Sequence, residues 1–202
     1  MAGIIFAILL ITSYALLLAS VPPDLLLGKE WLEDKSGTVA FALGLIPFAG
    51  IAFLWFIGVI RDHLGRMEDQ LFSTVFLGSG LLYLAMLFIS AAIVAGLLAS
   101  YAFEPNIIFE SGVYASGRAV MTRILNVYGI RMAAVFMISL ATIWVRTQVM
   151  PRWLAFLTYG AAAILLLIIS FNPWVTLIFP AWVMVISLYI LLTNARSNLG
   201  EQ

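Results

Sequence analysis

Residues 71–99 read LFSTVFLGSGLLYLAMLFISAAIVAGLLA, a stretch without one charged side chain. As a helix at 1.5 Å per residue it would be about 43 Å long. The hydrocarbon of a bilayer is only about 30 Å thick. Apolar side chains occupy every side of such a helix, so it has no face to offer water. It also lacks the strict alternation of a membrane-barrel strand. The segment belongs in lipid, where its backbone must satisfy its own hydrogen bonds as a helix.

Working outward, five more stretches are as long and mainly apolar: 3–20, 37–60, 119–145, 153–171 and 173–193, of which 119–145 alone carries charge, at Arg123 and Arg131. The expected fold is all-α, a polytopic membrane protein whose single domain, 1–202, bundles six transmembrane helices. Composition agrees. The chain is 64% hydrophobic and 10% charged, with mean hydropathy +1.11, whereas soluble domains average about 25% charged residues. The first stretch carries no Lys or Arg before Lys29, unlike a secretory leader. It is expected to be a retained first helix, cleavage after ALLLAS being the alternative. Asn172-Pro173 leaves almost no loop between the last two stretches, which predicts a tight antiparallel hairpin.

Charge counting sets the orientation. Arg61, Arg66, Arg146, Arg152 and Arg196 fall on one side. Lys29, Lys35 and Arg118 fall on the other, beside Asp24, Glu30, Glu33, Asp34, Glu104 and Glu110. The excess of basic residues is expected on the cytoplasmic side, with both termini. Trp55, Trp144 and Trp153 are expected as aromatic anchors at that boundary, with Tyr101 and Tyr114 flanking the outer loop. The outer loop EPNIIFESGVYASG is expected to lie along the interface as a short amphipathic segment.

Several chemistries are excluded. Net charge is zero, which gives nucleic acid no electrostatic footing. There is no cysteine and one histidine, His63, so thiolate chemistry and multi-histidine metal or haem sites within one chain are ruled out. No cofactor is expected. Neither a Gly-rich phosphate loop nor a nucleophile elbow occurs. No Asp or Glu stands mid-span to build a proton relay.

One residue within a span points towards activity. Arg131, in GIRMAAVFMISLATIWV, sits where a guanidinium costs about 2.5–3.5 kcal/mol on insertion scales, so it must face the bundle interior and find partners. Eight positions before it, Arg123 lies about 80° around an ideal helix, sharing a broad face with Val127, Ala134 and Ile138. Arg131 and Arg123, with Asn126 and Tyr128, are expected to wall an outward-facing cavity that holds an anionic group. The competing reading is that Arg131 caps carbonyls of a broken helix, or pairs with Glu104 or Glu110 as an interhelical clamp.

Other features read as ordinary membrane-protein structure. Pro47 and Pro180 interrupt the backbone ladders of the second and sixth helices. Tyr14, Tyr83, Ser79, Ser90, Ser139 and Thr142 are expected in local or interhelical hydrogen bonds. Ala92-xxx-Gly96-xxx-Ser100 is a small-residue stripe that fits packing inside the monomer better than a dimer seam. The turn RDHLGRMEDQ (61–70) reads as solvated charge pairs; a carboxylate held against His63 beside a cleft would instead suggest an enzyme acting on lipid.

At FLWFIGVIRDHLGRMEDQLFSTVFLGSGLLYLAMLF (53–88) and NVYGIRMAAVFMISLATIWVRTQVMPRWLAFL (126–157) the chain resembles an uncharacterised family of small bacterial multi-pass membrane proteins. The resemblance implies a single polytopic domain in a bacterial cytoplasmic membrane. It marks Arg61, Glu68, Asp69, Arg131, Arg146, Pro151 and Arg152 as family features and transfers no activity. The function expected is therefore binding or passage of a small anionic or amphiphilic ligand, without catalysis. A structural or accessory subunit is the alternative. Membrane lipids, an anionic small molecule and a membrane-protein partner or second copy are the expected partners.

Overall fold

The structure is a computed structural model that describes residues 1–22, 29–64, 70–167 and 173–200. Its regular elements are all helical. They are α1 (Ala2–Ser20), α2 (Lys29–Asp34), α3 (Ser36–Leu64), α4 (Gln70–Phe103), α5 (Pro105–Glu110) and α6 (Val113–Arg123). A π-helical stretch (Ile124–Gly129) then leads into α7 (Ile130–Thr147). Beyond lie α8 (Arg152–Leu167), a 3-10 turn (Pro173–Leu177) and α9 (Ile178–Gly200). An all-α polytopic bundle is what the charge-free stretches demanded.

Five helical stretches among the described residues are long and apolar enough to cross a membrane: Ala2–Ser20, Ser36–Asp62, Leu71–Phe103, Val113–Thr147 and Trp174–Thr193. The expected sixth, 153–171, appears as the shorter α8; its last residues and the Asn172 turn lie outside the described residues. The described part of α8 measures about 24 Å. By contrast α4 and the continuous α6–α7 rod are about 50 Å long, so they must tilt in the bilayer or project beyond it.

The bundle is built on side chains that are buried without water to drive them. In lipid, helices associate through close packing and hydrogen bonds rather than the hydrophobic effect. Phe53 on α3 is the hub. Its ring lies 4.7 Å from Phe6, 5.8 Å from Tyr83, 5.4 Å from Phe136 and 5.7 Å from Phe179, on α1, α4, α7 and α9. Phe76 stacks on Phe136 at 4.4 Å, and Phe179 on Trp182 at 5.9 Å. Hydrogen bonds tie neighbouring helices together. Ser13 Oγ donates to the Ala42 carbonyl between α1 and α3. The Trp182 indole donates to Thr158 Oγ1 between α9 and α8, and the Thr142 and Tyr159 hydroxyls meet at 2.8 Å between α7 and α8.

The polar residues expected in local bonds are found there. Ser79, Ser139 and Thr142 donate to Val75, Val135 and Ile138, each four positions back. Tyr14 and Tyr83 hydrogen-bond to each other in the buried interior.

Three expectations need correction. Trp144 is 1% exposed and packs on Trp182; it is core, whereas Trp55 and Trp153 do face outward. Pro180 lies in the first turn of α9, directly after the 3-10 turn, where proline is tolerated; among the described residues Pro47 is the proline interior to an α-helix, α3. Ala92, Gly96 and Ser100 are all exposed, with no described atom within 4 Å of a Cβ built on Gly96. The stripe therefore faces outward, because α4 turns its Val94 and Leu97 side into the bundle.

Gly3 shows how tightly α1 approaches α3 and α9. A Cβ there would collide with Ser187 Oγ and the Phe56 ring. The Ser187 hydroxyl is itself buried without a hydrogen-bond partner among the described residues. Gly3→Ala is expected to destabilise the bundle by about 1–3 kcal/mol through overpacking. Ser187→Ala should be neutral or slightly stabilising, because it deletes an unsatisfied buried group. Denaturant titration in mixed micelles measures both, and the double variant should recover only part of the loss because Phe56 still obstructs.

Candidate functional site

Asn126-Val127-Tyr128-Gly129 is a poor helix sequence: asparagine, valine, tyrosine and glycine all rank low in intrinsic helix propensity. At this point the α6–α7 rod widens without leaving the right-handed region. The Ile130 N–H reaches back five residues, to the Leu125 carbonyl. Gly129 lets the widened turn lie against α4, where an added Cβ would stand 3.4 Å from Met86 Cβ. Interruptions of this kind in α-helices occur disproportionately at functional sites.

The widening changes the geometry expected for the arginines. A π-turn inserts one residue into the helical count, so eight positions advance the chain as seven would. Arg123 and Arg131 then differ by about 20° around the axis instead of about 80°. They form one line along the rod, separated by about 10–12 Å of rise. A ligand that extends along the helix, as a lipid does, can meet both.

Each residue's setting is distinct. Arg131 is half-buried, and its Nη1 donates to the Val127 carbonyl at 2.9 Å. The side chain thus leans towards the α6 end, the natural direction for a helical side chain. Neither Glu104 nor Glu110 pairs with it among the described residues, and its other nitrogens find no protein acceptor there. Arg123 is exposed, Asn126 is half-buried, and Tyr128 is 58% exposed. Of the face first expected, Val127 and Ile138 stay partly accessible, while Ala134 is fully buried. Among the described residues no hydrogen bond joins these four side chains to one another, and Arg131 acts on its own helix as a carbonyl cap.

Among the described residues the arginine enclosed most completely is a different one. Arg118 is 6% exposed. Its Nη1 donates to the Tyr114 hydroxyl at 3.1 Å and its Nη2 to the Pro22 carbonyl at 2.7 Å. The Trp31 indole donates to the same Tyr114 oxygen at 2.7 Å. Phe109 packs on Tyr114 and Tyr101, and the Tyr101 hydroxyl donates to Glu33. Lys35 Nζ donates to the Ala19 carbonyl. Together α2, α5 and α6 make a small aromatic cap over one end of the bundle. The outer segment expected along the interface is this cap: α5, then the amphipathic α6.

Counting Arg118 as a loop cation hid this role. The available signal was the Tyr114-xxx-Arg118 spacing, which places both side chains on one helical face. The turn 65–69, with the His63 side chain, lies outside the described residues. No group of three metal-ligating side chains occurs among the described residues.

No protein-family model, curated protein or solved structure matches this chain.

Proposed function

We propose that the protein binds an anionic amphiphile along the α6–α7 rod, with Arg131 as the principal contact and Arg123 as the second. Tyr128 and Asn126 flank the ligand, and no catalysis is involved. The observation that carries this reading is the half-buried Arg131 guanidinium, held by one carbonyl on a widened turn, with donors left over. A guanidinium forks naturally onto phosphate or carboxylate, and a span offers few other acceptors. The stretch between Arg123 and Arg146, charged only at Arg131, is about 33 Å as a helix, close to the bilayer hydrocarbon. Arg131 is then within snorkelling reach of the headgroups on the Arg123 side. The reading places the chain in a bacterial cytoplasmic membrane with both termini in the cytoplasm, as the Arg distribution and the family resemblance suggest.

A second reading, an accessory subunit of a membrane complex, draws on the outward-facing Ala92, Gly96 and Ser100 stripe, which suits close approach of another helix. Mutation tests the first reading. Arg131→Met should weaken phosphatidylglycerol binding by about tenfold or more, the loss of a charge-assisted contact, while the melting temperature holds. Earlier melting with lipid affinity intact would assign Arg131 to structure alone.

A further inference from the structure

At the cap, the ends of α4, α5 and α6 enclose an open-sided cavity of about 360 Å³, within the size range of small-molecule sites. Its lining is mainly apolar, with Phe103, Ile108 and Val113 beside Ser100, Ser111 and a single acidic residue, Glu104. Ile108 is buried and forms the floor, while Phe103 is 86% exposed at the rim. Glu104 stands where α4 ends and α5 begins. Its backbone N–H is fixed on the Ser100 carbonyl at 3.1 Å, so the carboxylate is carried on an anchored main chain. Among the described residues no Lys or Arg forms an ion pair with it.

An apolar hollow with one carboxylate and one exposed aromatic ring at its mouth selects by charge. Anions are repelled by Glu104. A neutral apolar body fits the walls but leaves the carboxylate unused. An ammonium ion gains both a charge-assisted contact with the carboxylate and attraction to the face of a phenyl ring. We propose that this cavity binds an organic ammonium ion with an apolar body, the head at Glu104 and Phe103 and the body against Ile108 and Val113. The site has the opposite charge to the Arg131 face and shares only α6 with it, at Val113, the far end of that helix from Arg123, so it stands independently of that reading.

Calorimetric titration of the full chain in phosphatidylcholine nanodiscs tests it, using 4-phenylbutylammonium and its neutral analogue 4-phenylbutanol. The ammonium compound is expected to bind about tenfold more tightly than the alcohol. Glu104→Gln, an exposed substitution that leaves the melting temperature unchanged, should bring the two within about twofold. Phe103→Leu should weaken the ammonium selectively, by about threefold. Equal affinities in the unaltered protein, absence of binding by either compound, or a preference that survives Glu104→Gln would each overturn the assignment.

Discussion

Phe53→Ala is expected to destabilise the bundle by about 3–5 kcal/mol, the range for removing a large buried aromatic side chain. Phe53 is fully buried, and its ring contacts reach four other helices through Phe6, Tyr83, Phe136 and Phe179. No single rearrangement can close the void, because the four neighbours are held by different backbones. In lipid the lost energy is dispersion and ring–ring contact rather than water-driven burial. Phe48→Ala, on the exposed side of the same helix, should by comparison change little. Equilibrium unfolding of the two variants in mixed micelles decides the matter; equal stabilities would mean that α3 is not the organising helix.

Arg118→Met should cost about 1.5–3 kcal/mol, the usual loss for hydrogen bonds to a charged group. The methionine fills similar space but leaves the Pro22 carbonyl without its donor and the Tyr114 oxygen with one donor fewer. Arg118→Lys tests the geometry. An ammonium point charge cannot donate in two diverging directions as the guanidinium fork does, so lysine should recover only part of the loss. The signature is local: hydrogen exchange should rise in α2, α5 and the start of α6, while α7 and α8 keep their protection. A uniform rise across the bundle would refute a cap stabilised as a separate unit.

Fold class was legible because a charge-free run longer than the bilayer is thick admits few structures. Residues 71–99 and 37–60 fall inside α4 and α3, whose ends run a few residues further than hydropathy alone places them. What hydropathy could not show was anything decided by a few hydrogen bonds. The π-turn at Ile124–Gly129 reflects weak local propensity resolved by packing on α4 at Met86. The cap consists of short helices stabilised by Trp31, Tyr114 and Arg118, drawn from segments distant in sequence. Tryptophan at a span end predicts an interface anchor at Trp55 and Trp153, but helix rotation alone put Trp144 inside. At the candidate site, the sequence singled out Arg131 by the cost of burying its charge. The π-turn then altered which residues share its face.

Retained lipid is the most direct readout of the Arg131 face. Native mass spectrometry of the purified protein, released gently from detergent, should show an anionic phospholipid bound to the unaltered chain and missing from Arg131→Met at equal folding. The same lipid adducts on both proteins, or none on either, would contradict an anion-binding role for that guanidinium.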